Sequence, residues 1–132
     1  MSQALKKQRL GEHALPIALA GVGLWLAAAL LVRALPGVFE GRVQTLIAML
    51  LLFPAAEIGL RVLSAILGIE RTKGLPAGAL LGMIVVLCHG LALVLWPSLY
   101  GAGIETAGHG AAFVAWAGAA PVLCAWYAAE RR

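Results

Sequence analysis

Residues Ala14 to Val32 read ALPIALAGVGLWLAAALLV, a run of 19 positions without a charge. As a helix rising about 1.5 Å per residue it spans roughly 28 Å, the thickness of the hydrocarbon core of a bilayer. Lys6, Lys7 and Arg9 precede it. A basic start before an apolar run also describes a secretory leader, but the apolar part of a leader is roughly 7–15 residues long. The length favours a retained anchor over cleavage near Ala27 to Ala29.

Three further apolar stretches follow the same logic. The second runs from Val43 to about Gly68, uncharged over its first 14 residues and then interrupted by Glu57 and Arg61. The third runs from Pro76 to about Pro97 and the fourth from His109 to Ala128. The expected fold is therefore an all-α membrane protein of one domain, residues 1–132, with spans near 14–34, 43–68, 76–97 and 109–128 forming an antiparallel four-helix bundle. Composition agrees. Of 132 residues 62% are hydrophobic and 12% charged, too few charges to clothe a soluble surface, so a soluble globular enzyme is excluded.

Between the stretches lie Leu35-Pro36-Gly37, the polar connection Glu70 to Gly74, and a Gly-rich connection from Ser98 to Gly108. Lys6, Lys7, Arg9, Arg71, Lys73, Arg131 and Arg132 fall on the side of the termini, against Arg33 and Arg42 on the other. That asymmetry assigns both termini to the cytoplasm of a bacterial-type inner membrane. The net charge of +4 belongs to these flanks and not to a basic face, so nucleic acid is not an expected partner. Trp96 with Tyr100, and Trp126 with Tyr127, read as aromatic belts.

Polarity inside the second stretch is patterned. Leu50, Pro54, Glu57, Arg61, Ser64 and Gly68 fall within roughly 80° of one another on a helix, and Glu57 and Arg61 are spaced to pair. Charge in hydrocarbon is costly, so the stripe is expected to face the bundle interior. Pro54 leaves the Leu50 carbonyl without its donor and predicts a kink, as does Pro121 in the fourth stretch. In the third stretch Gly74, Gly78 and Gly82 form a helix-packing face, the expected association surface, with His89 on the same side. Counted from the cytoplasmic ends, Glu57 lies roughly 16 Å deep and His89 roughly 18 Å, with Trp25 and Trp116 at similar depth. These five residues, Glu57, Arg61, His89, Trp25 and Trp116, are expected to form one mid-membrane layer that binds an ion, a proton or an amphipathic cation.

Cys88 and Cys124 lie in apolar stretches and read as reduced packing residues. No nucleophile elbow, dinucleotide fingerprint or zinc spacing is present, so no motif supports catalysis, and neither a metal nor a cofactor is implied. The first functional expectation is transport or binding by a homo-oligomer embedded in lipid. The alternative is a non-catalytic accessory subunit docked on a partner membrane subunit, and a weaker one is quinone or haem binding, for which His13 and His109 lie too far from the depth of His89.

Overall fold

The computed structural model describes residues 3–69, 74–101 and 103–131, with side chains from residue 13 onward. The Lys6, Lys7 and Arg9 side chains, the connection 70–73 and Arg132 lie outside the described residues. Everything described is helix or turn: α1 Gln3–Ala34, α2 Pro36–Phe39, α3 Arg42–Leu67, α4 Gly74–Leu95, a 3-10 turn Pro97–Tyr100, and α5 Ile104–Glu130. Four of these, His13–Ala34 within α1 and the whole of α3, α4 and α5, are long and apolar enough to cross a membrane.

Local chemistry sets the boundaries. Pro36 pushes Leu35 out of the helical region (φ −124°, ψ 58°), which ends α1, and then occupies the first turn of α2, where its missing N–H is harmless. Gly41 is extended and opens α3, and the Thr45 hydroxyl donates back to the Gly41 carbonyl at 2.9 Å. At the other end Gly68 turns left-handed (φ 62°), and its N–H and that of Ile69 both bond the Ser64 carbonyl. Only glycine takes that conformation without strain. Pro97 stops α4 in the same way that Pro36 stops α1.

Two boundaries depart from expectation. Helix α1 starts at Gln3, well before Ala14. Helix α5 starts at Ile104 and not at His109, because an extended Gly103 opens it and Glu105 sits in the first turn, where a carboxylate meets the positive end of the helix dipole. The connection from Ser98 to Gly108 is therefore mostly structured. Helices α3 and α5 continue through Pro54 and Pro121 as unbroken segments.

Helices α4 and α5 form the central pair, with α1 against α4 and α3 against α5. Glycine permits the close approach. A Cβ on Gly78 would lie 3.0 Å from the Pro121 carbonyl oxygen and against Ala125, and one on Gly82 would collide with the Gly118 carbonyl. Gly74 has open space around it. The glycine face of α4 is thus filled by α5 of the same chain and is not free for association. Two apolar clusters result, one around Ala29, Val32, Phe39, Tyr100 and Val114, the other around Ile17, Leu81 and Val85, with Trp25 bordering both. Of α3, Thr45 alone is buried.

Candidate functional site

Two polar centres occupy the helices, and they lie apart. The first is buried. His89 projects from α4, and Tyr100, fully enclosed, projects from the 3-10 turn, so that Tyr100 Oη lies 2.9 Å from His89 Nδ1 with the rings edge to face. Trp25 Nε1 of α1 donates to the same hydroxyl at 3.2 Å. Donor counting fixes the directions: a phenol with an incoming indole N–H keeps its own proton to donate, and His89 Nδ1 is the acceptor within reach. The chain runs Trp25 N–H to Tyr100 O–H to His89 Nδ1, which leaves the histidine proton on Nε2. With the opposite tautomer two donors would converge on the phenol oxygen, and its own proton would have no acceptor among the described residues.

The second centre is exposed. Arg61 Nη2 donates to Glu57 Oε1 along one face of α3, and the Arg61 and Glu57 side chains are 77% and 55% exposed. Met49, Leu52 and Leu63 of α3, which pack against the apolar clusters, lie roughly a quarter-turn or more from the centre of this stripe. The expectation of an inward-facing pair sharing a layer with His89 is therefore corrected. The grouping of polar residues on one stripe holds, but the stripe occupies the flank of α3. Equal depth along two helices says nothing about azimuth, and the rule that charges turn inward refers to the finished assembly and not to one chain.

Trp116 does not join either centre. Its Nε1 donates to the Met49 carbonyl at 3.1 Å and its ring meets Phe53 edge to face, so it ties α5 to α3. Cys124 supports the same junction, its thiol 3.5 Å from the Phe53 carbonyl. His109, half-buried, lies 2.8 Å from the Phe39 carbonyl through Nδ1; a carbonyl only accepts, so that nitrogen carries the proton. Tyr100 is the residue that sequence reasoning missed, having placed it with Trp96 in a belt. The available signal was Pro97 followed by Gly101 and Gly103, which folds the segment back towards an unpartnered histidine in α4.

Glu57 also lines a groove of about 430 Å³ between α3 and α5, with Pro54, Cys124, Trp126 and Tyr127 along it. Tyr127 is itself engaged by Arg131, which bonds its hydroxyl and sits 4.2 Å above its ring centre. A separate cleft between α1 and α3, floored by Leu81 and Ala117, is lined by apolar residues throughout. Among the described residues no group of three His, Cys, Asp or Glu side chains could hold a metal.

Comparison with protein-family models, with curated proteins and with solved structures finds no match to this chain.

Proposed function

We propose that this chain is an assembly subunit of a bacterial-type inner membrane: an antiparallel four-helix bundle with cytoplasmic termini, which docks the flank of α3 against another membrane-embedded helix. The observation that carries the reading is the exposure of Glu57 and Arg61. On insertion scales each charge at a helix centre costs about 2.5–3.5 kcal/mol, and such residues face protein or a water-filled cavity in finished membrane proteins. An arginine facing lipid relieves the cost by extending its head towards the nearer interface. Arg61 instead reaches back to Glu57, one turn further from the Leu67 end of α3. Exposed leucines beside them need no such cover, because acyl chains are as apolar as they are.

The test is lipid accessibility in native membranes. A spin label at Leu50, on the same stripe, is expected to be shielded from lipid-dissolved oxygen relative to one at Val94 on the open face of α4. Equal accessibility overturns the reading.

A second reading, binding of an amphipathic cation, is favoured by the groove that sets the Glu57 carboxylate beside the exposed rings of Trp126 and Tyr127. Glu57→Gln separates the two. It abolishes saturable binding of a hydrophobic quaternary ammonium if the groove is the working site, and leaves binding absent in both forms if docking is.

A further inference from the structure

We propose that the partner of the α3 flank is a second copy of this chain, the two related by a twofold axis along the membrane normal. The inference rests on the docking reading and names the partner. Three observations support it. First, the glycine face of α4, the surface best suited to close helix contact, is occupied by Pro121, Ala125 and Gly118 of α5 within the chain, so association falls to the helix with the least buried surface, α3.

Second, the flank is self-complementary. It carries one anion and one cation a single turn apart, and a twofold axis along the membrane normal sets the two α3 helices side by side in the same direction. Glu57 then stands one turn, about 5–6 Å along the axis, from the partner's Arg61, within reach of that long side chain. Both pairs cross the interface at once. A different protein would have to carry its own matching pair at this depth.

Third, the pair within one chain is incomplete. Arg61 Nη2 to Glu57 Oε1 is its one hydrogen bond among the described residues, which leaves Oε2 and the other guanidinium N–H groups to be satisfied where no water is at hand. The second copy supplies the missing acceptor to each arginine and the missing donor to each carboxylate. Leu46 and Leu50, exposed on the same stripe, supply apolar contact towards the α2 end of the interface.

The experiment uses full-length protein in native membranes, in a background where Cys88 and Cys124 are alanine. Leu50→Cys is expected to give disulfide-linked dimer at roughly tenfold the yield of Val94→Cys, a ratio that corresponds to a clear preference of one face. Two differently tagged charge variants follow. Glu57→Arg and Arg61→Glu, each expressed alone, are expected to lose self-association, and co-expression is expected to restore it between the two tags. If both variants insert and the mixture does not associate, the proposal is overturned. Should either fail to insert, the cysteine comparison decides alone: equal yields from Leu50→Cys and Val94→Cys overturn the second copy as partner. A Leu50 label that stays shielded without self-linkage overturns the dimer and leaves docking on another protein standing, whereas an unshielded label removes both.

Discussion

His89 and Tyr100 meet at 2.9 Å although a helix end and Pro97 stand between them in the chain, and this contact folds the 3-10 turn onto α4. Tyr100 Oη is the shared atom of the buried centre, so its loss strands two partners together. Interhelical hydrogen bonds in membranes couple by about 0.6 kcal/mol on average and reach about 1.7. Tyr100→Phe is therefore expected to destabilise the fold by roughly 1–3 kcal/mol. Trp25→Phe, which removes one bond, costs less. Reversible unfolding in mixed micelles measures both, and a larger loss for Trp25→Phe contradicts the shared-hydroxyl geometry.

The two described centres with histidine predict opposite tautomers. His89 accepts at Nδ1 and carries its proton on Nε2, whereas His109 donates from Nδ1 to the Phe39 carbonyl. Nitrogen-15 spectra of histidine-labelled protein carrying His13→Gln are expected to show an unprotonated Nδ1 in one ring, His89, and a protonated Nδ1 in the other, His109. Two rings of the same tautomer refute the assignment of the Trp25, Tyr100 and His89 chain.

Glycine substitutions separate packing from conformation. Gly82→Ala drives a methyl into the Gly118 carbonyl and is expected to cost about 1–3 kcal/mol, the range of overpacked interiors. Gly68→Ala meets no atom but forces an L-residue into the left-handed region, for about 1–2 kcal/mol. Gly90→Ala has open space and ordinary backbone, and helix propensity alone makes it neutral or stabilising by up to about 1 kcal/mol. Thermal unfolding of the three in one detergent checks the order.

Arg61→Ala removes the cation paired with Glu57 and leaves a carboxylate within the span, while Glu57→Gln keeps a neutral group that still accepts from Arg61. Arg61→Ala is expected to lower the yield of folded protein in membranes more than Glu57→Gln. Gel filtration with fluorescence detection compares them, and the reverse order counts against the pair.

The four spans could be read from the chain because apolar length is a local property. So could the stripe of α3 and the inward position of His89, since helical phase follows from spacing alone. What spacing does not carry is which way a stripe turns. The expectation placed Glu57 inside by assuming that one chain supplies all the protein around it, and the structure sets that residue on the flank. Tyr100 escaped notice for a different reason. Its position depends on the turn made by Pro97 and Gly101, whose φ of 140° only glycine adopts freely, and backbone turns of this kind leave no periodic trace. The start of α5 at Ile104 was hidden in the same segment, where glycines read as loop although Gly103 caps a helix.

The predominance of α5 among the neighbours of α3 has a consequence for biogenesis. Helix α3 leaves the ribosome two spanning segments ahead of α5, the neighbour it leans on. At roughly 5–20 residues per second the wait is several seconds. During it a lone helix bearing an acid and a base must hold its place in the translocon or in the bilayer. Since Glu57 and Arg61 are four residues apart on that same helix, they can neutralise one another as soon as it coils, before α5 has emerged to help.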